Sequence, residues 1–228
     1  MRDYNPFKEL DLFEKILWCS SLAVIIISFV IGGGSNYLTL AASLIGATAL
    51  IFVAKGNVFG QIMTVVFALF YAVISFEQSY FGEMITYLFM TSPMAIWAAV
   101  EWIKNPYEKG RSEVKVAKLT KKKIVIMLVT CAAVTLLFYY ILKALDTQSL
   151  VFSTVSVTTS FLACALTLLR SPYYALGYSA NDMVLIILWI IATVKDIAYL
   201  PMVICFAVFL VNDLYGFYNW KRMQKRQG

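Results

Sequence analysis

The sequence predicts an all-α integral membrane protein of eight spans. Two parallel three-span repeats flank a lone helix in 3+1+3 order, and an extra helix precedes them. Three observations predict this. The chain is 61% hydrophobic with a mean hydropathy of +0.77; soluble domains are about 45–50% apolar, and no soluble core absorbs the surplus. Eight stretches reach or approach the roughly 20 apolar residues that cross a bilayer. Residues 37–102 and 148–220 share one layout: an apolar stretch rich in small residues, a basic turn (Lys55-Gly56-Asn57, then Arg170-Ser171-Pro172) and a closing tryptophan. Trp102 lies 47 positions after Lys55, and Trp220 lies 50 after Arg170.

The expected spans are 12–31, 37–54, 57–76, 81–103, 124–144, 148–169, 181–197 and 199–219. They divide the chain into an N-terminal segment with an extra transmembrane helix (1–36), a first repeat (37–103), a basic loop and linker helix (104–147), a second repeat (148–220) and a basic tail (221–228). The first stretch is not a cleaved leader, because Asp11 and Glu14 replace a basic flank and no small-residue cleavage site follows. It is expected at the periphery, outside the repeats. Asn105-Pro106 and Lys109-Gly110 break the helical pattern before Lys121-Lys122-Lys123 introduces the lone span. That span reverses the chain, so both repeats enter the membrane in the same sense, related by an axis along its normal as in SWEET carriers. Such folds bind substrate between the repeats near mid-bilayer.

Charge fixes an orientation. With the N-terminus inside, seventeen of the nineteen Lys and Arg residues fall on the cytoplasmic side, and only Lys143 and Lys195 fall outside. The net charge of +6 therefore reads as topology beside an anionic leaflet. It follows no nucleic-acid-binding motif, and no nucleic-acid partner is expected. The chain contains no histidine, which removes His-based catalysis and His metal sites. Its four cysteines are scattered through the spans without metal or disulfide spacing. No metal, no cofactor and no enzymatic activity are expected.

Polar groups inside lipid are costly and usually face protein or water. Asn212-Asp213 lies deep in the last span, read as pore lining against a structural bond to a neighbouring helix. Asn181-Asp182 opens the expected seventh span, where capping of the helix N-terminus is the competing reading. Trp189 sits near mid-span, away from the interfacial belts, as lipid-facing bulk or as a stacking surface. Thr91-Ser92-Pro93 aligns by the repeat near Asn212. Pro93 removes a backbone bond and marks a candidate hinge or a static bend. The hydroxyl run Ser153–Ser160 serves helix packing or ligand contact. No Lys or Arg lies near mid-membrane, so a buried phosphate would lack a cationic partner. The expected ligand is uncharged or cationic, with a flat ring and hydroxyls. A nucleoside-like vitamin fits this and a nucleotide does not.

Over residues 37–220 the chain resembles the PnuC family of nicotinamide riboside transporters. The resemblance rests on the 3+1+3 layout, on Asn181-Asp182-Met183-Val184-Leu185-Ile186-Ile187-Leu188-Trp189, on Asp196-Ile197-Ala198-Tyr199-Leu200-Pro201 and on Phe209–Phe217. Gly216 with Trp220 matches the family's closing Gly-x-x-x-Trp, whereas Ala98 stands where the first repeat commonly has glycine. The resemblance implies a SWEET-like helix bundle in the cell membrane, with both termini cytoplasmic and often a homotrimer. It implies facilitated diffusion of nicotinamide riboside, trapped by cytoplasmic phosphorylation. By position it implies Trp189 as a ring-stacking residue, Asn181, Asn212 and Asp213 as hydrogen-bond partners, and Tyr87 facing them from the first repeat. Carriers of thiamine, riboflavin or deoxynucleosides are the sister readings, and a substrate-binding subunit of an ATP-driven importer is another.

Overall fold

The computed structural model describes residues 5–108 and 112–228. Arg2, Lys109, Gly110 and Arg111, which entered the charge and helix-breaker arguments, lie outside them. After a 3-10 turn at Pro6–Glu9 come α1 (Leu12–Ile31), α2 (Tyr37–Ala54), α3 (Val58–Glu77), α4 (Phe81–Ile85), a π-helical turn (Thr86–Thr91), α5 (Ser92–Lys104), α6 (Lys121–Ala144), α7 (Leu150–Leu168), α8 (Tyr174–Lys195) and α9 (Leu200–Arg226). Seven of these helices are long and apolar enough to cross a membrane. The expected fourth span is helical throughout, but α4, the π turn and α5 divide it. Pro93, at the second position of α5, lacks the N–H that an unbroken α-helix would need from it.

Two boundaries differ from expectation in ways that matter. The seventh span begins at Tyr174 rather than 181, so Asn181 and Asp182 sit two turns inside α8 and cap nothing. Gly177, Ser179, Asn181 and Asp182 lower the local hydropathy, yet Ser179, Asn181 and Asp182 are buried against the bundle. The last helix also runs through the basic tail to Arg226.

The packing crosses the two halves. Helix α2 lies against α9 as well as α3, and α5 lies against α7 as well as α3. The first helix of each half therefore meets the last helix of the other. The basic turns close with the same hydrogen bonds. Gly56 N donates to Val53 O and Asn57 N to Phe52 O, both at 2.9 Å; Arg170 N donates to Thr167 O and Ser171 N to Leu166 O, both at 3.0 Å. Each is a Schellman-type end needing a left-handed residue. Glycine supplies it at Gly56 (φ +69°), and Arg170 adopts it without that freedom (φ +55°). Trp102 and Trp220 then bridge the halves reciprocally. The Trp102 indole donates to Thr167 O at 3.2 Å and the Trp220 indole to Val53 O at 2.9 Å. Their rings pack 5.4 Å apart. The connecting segment crosses both turns, with Val114 N donating to Gly56 O and Ala117 N to Arg170 O.

Helix α1 is peripheral but pinned. It packs on α2 and α9 and leaves an apolar face exposed. Buried Glu14 completes a capping box with Asp11, accepts Lys55 Nζ at 2.7 Å and accepts the Tyr215 hydroxyl at 3.0 Å. One carboxylate thus joins α1, the end of α2 and α9. Helix α6 packs chiefly on α7 and is the most exposed of the long helices. Removing the Glu14 carboxylate leaves Lys55 and Tyr215 without their acceptor. Glu14→Ala is expected to destabilise the protein on the order of 3 kcal/mol, measured by thermal unfolding in detergent.

Candidate functional site

The bundle is layered along its axis. At the end bearing Lys55 and Arg170, Trp102, Tyr174 and Trp220 form a buried apolar plug with Val53, Leu166 and Met223. Toward the opposite end a second plug gathers Phe67, Tyr71, Tyr80, Tyr87, Trp189, Phe206 and Phe209. Tyr71 is its hub: its ring meets Phe67, Tyr87, Trp189 and Phe206, and its hydroxyl accepts the Trp189 indole at 2.8 Å.

Between the plugs lies a narrow cavity lined by both halves of the bundle. Helix α2 gives Gly46, Ala49, Leu50 and Val53, α3 gives Gln61, Thr64 and Phe67, and the π turn gives Tyr87 and Thr91. From the other half come Tyr178 and Asp182 on α8 and Phe209 and Asp213 on α9. Gly46 lets the Phe209 ring pack directly on α2, since a Cβ there would stand 2.2 Å from Phe209 Cζ. Asp182 and Asp213 are both buried, and Asp182 Oδ2 has no hydrogen-bond partner. No lysine or arginine lines the cavity among the described residues. Two carboxyl groups in a wall otherwise built of small and aliphatic residues, aromatics, hydroxyls and one amide suit a cationic or neutral ligand with hydrogen-bond donors better than an anion.

The residues singled out in the sequence divide. Asp213 and Tyr87 line the cavity and are brought together there. Asn181 turns to α7, where its Oδ1 accepts the hydroxyls of Ser156, Thr159 and Ser160 at 2.9–3.1 Å. Asn212 turns to α1 and donates to Ser21 Oγ at 3.2 Å and to Val208 O at 2.8 Å. Trp189 is fully buried in the aromatic plug beyond the cavity. Pro93 is exposed, two positions after Thr91 at the cavity wall. Gln61 and Thr64 carried no signal in the sequence beyond being polar within a span, and Tyr178 fell outside the expected seventh span. Gly46 was hidden in a stretch of small residues.

Residues 36–222 match the profile of a family described as nicotinamide mononucleotide transporter. The chain belongs to this family, the PnuC family. Two relatives named nicotinamide riboside transporter PnuC are similar across nearly the whole chain. One, from Haemophilus influenzae, is 24% identical over 93% of this chain and 91% of its own. The other, from Neisseria mucosa, is 26% identical over 94% of this chain and 82% of its own. A crystal structure of the vitamin B3 transporter PnuC has the same fold, with a TM-score of 0.84 over 96% of this chain and 94% of that one at 23% identity.

Asn181 is the common acceptor of three α7 hydroxyls. Asn181→Ala should therefore loosen the α7–α8 seam and lower stability by about 1–3 kcal/mol, read as a drop in melting temperature.

Proposed function

We propose that the protein carries nicotinamide riboside across the cell membrane by facilitated diffusion, with phosphorylation in the cytoplasm trapping the product. The observation that carries this reading is the cavity wall: Asp182 and Asp213 without a lysine or arginine, beside Tyr87, Phe67 and Phe209. A ribosylated pyridinium is a flat cation bearing hydroxyl and amide donors. Rings take the face of the heterocycle, carboxylates take the cation and the ribose hydroxyls, and the acidic wall opposes a phosphate. The relatives' names point to the same substrate.

In this reading the helical segment 81–104 is an eighth span, and the bundle is a SWEET-like 3+1+3 arrangement of parallel repeats. The crossed packing of α2 on α9 and α5 on α7 supports a twofold relation between the halves. The end bearing Lys55 and Arg170 is cytoplasmic, with both termini there. The protein works as a homotrimer. Asp213 and Tyr87, joined by Asp182, touch the substrate. Asn181 and Asn212 hold α8 and α9 in place behind them. Trp189 stacks on the ring when the opposite plug parts, and the π turn with Pro93 provides the hinge.

The test is uptake of labelled nicotinamide riboside by liposomes holding only this protein. Saturable uptake is expected, blocked by unlabelled riboside and left intact by nicotinamide mononucleotide, thiamine, riboflavin and deoxynucleosides. Asp213→Asn should weaken the apparent affinity by about tenfold, equivalent to about 1.4 kcal/mol. Uptake of one of the other vitamins with no riboside uptake would overturn the substrate assignment.

A further inference from the structure

Glu83 stands in α4, beside the aromatic plug rather than in the cavity. It is fully buried, and neither carboxyl oxygen has a hydrogen-bond partner. Among the described residues, no lysine or arginine acts on it. The ionisable groups around it are phenols: Tyr71 from α3, Tyr80 just before α4 and Tyr87 from the π turn. Helix α8 contributes Asp182, which acts on Tyr87 as Glu83 does. Helix α7 contributes Ser153 and Ser156, and α6 reaches this point with the apolar Leu142.

Ser153 and Ser156 stand beside Glu83, and neither closes a hydrogen bond to it. Ser156 Oγ donates to Asn181 Oδ1 at 3.1 Å, and Ser153 Oγ lies 3.5 Å from Gln148 O. A buried charge with no partner is opposed by several kcal/mol of lost hydration. A single proton on the carboxyl removes the charge.

We propose that Glu83 is a proton-binding site, which holds a proton while the aromatic plug is closed beside it and exchanges it with water when the plug parts. Opening hydrates the carboxyl and lets it ionise; closing requires the proton back. The proton is taken up and released on the same side, so protonation sets the rate of the gate and leaves the transport reaction downhill. This rests on the transporter reading above, because the plug is a gate only if substrate passes it.

The test measures riboside uptake by the reconstituted protein from mildly acidic to mildly alkaline pH, with the same pH on both sides. Wild-type uptake should change severalfold across the range, and Glu83→Gln, which is permanently neutral and of the same shape, should transport without that dependence. A wild type indifferent to pH, or a Glu83→Gln profile that follows the wild type, would overturn the proposal. So would accumulation above equilibrium driven by an imposed pH gradient and lost in Glu83→Gln, since the proton would then travel with the substrate. Absence of uptake at every pH would instead defeat the transporter reading. In that case, or if Glu83→Gln alone is inactive, thermal unfolding of the purified protein decides. Unfolding frees the carboxyl to ionise, so the wild-type melting temperature should fall more steeply with rising pH than that of Glu83→Gln. Parallel curves would overturn the site.

Discussion

Two indole N–H groups, reaching across from the last helix of each half to the first helix of the other, set the geometry on which the cavity depends. Trp102 and Trp220 do not simply fill space. Each donates to a carbonyl in the last turn of the opposing helix that also accepts the N–H closing that turn, and an apolar surrounding offers no water to replace the bond. The bonds fix the relative height of α5 and α7 and of α9 and α2. With the tryptophans at one level, Thr91 and Asp213 fall at the next, and Tyr87 and Phe209 close it. The connecting segment that bonds to Gly56 and Arg170 holds the two turns beside this junction.

From that framework the chemistry of the middle layer follows. Gly46 on α2 lets the Phe209 ring pack directly on that helix, and the other half supplies acids to line the cavity. The amides behind the acids bind neighbouring backbone and hydroxyls: Asn181 Oδ1 accepts three α7 hydroxyls, and Asn212 Nδ2 donates to α1 and to its own helix. Asp182, in the cavity wall, has one oxygen without a hydrogen-bond partner. Helix α1, outside the two halves, contributes by clamping α2 to α9 through Glu14, so the extra helix stiffens one of the two crossed contacts.

How far the sequence reveals this depends on which physical signal each feature leaves. Long apolar runs mark α1, α2, α3, α6, α7 and the start of α9 to within a few residues, because hydropathy alone decides them. The start of α8 was hidden because its first turns carry the polar face that meets α7 and the cavity, and the same residues read as a cap. The π turn has no residue signature of its own beyond the nearby Pro93. Asp213 was legible as a polar group too deep to be a cap, and Tyr87 only through the resemblance to the PnuC family. The orientations of Asn181, Asn212 and Trp189 were not, since which neighbour a buried side chain meets depends on tertiary packing. Glu83 was masked by its place near a helix start, where an acid is ordinary.

The central claim is that the space between the two plugs is the substrate site. It is tested most directly by determining the structure of the protein with nicotinamide riboside bound. The account predicts the pyridine ring against Tyr87 and Phe209, with the ribose or the ring cation within hydrogen-bond or ion-pair distance of Asp182 or Asp213. A riboside seated outside the middle layer, with both aspartates turned away from it, would contradict the account.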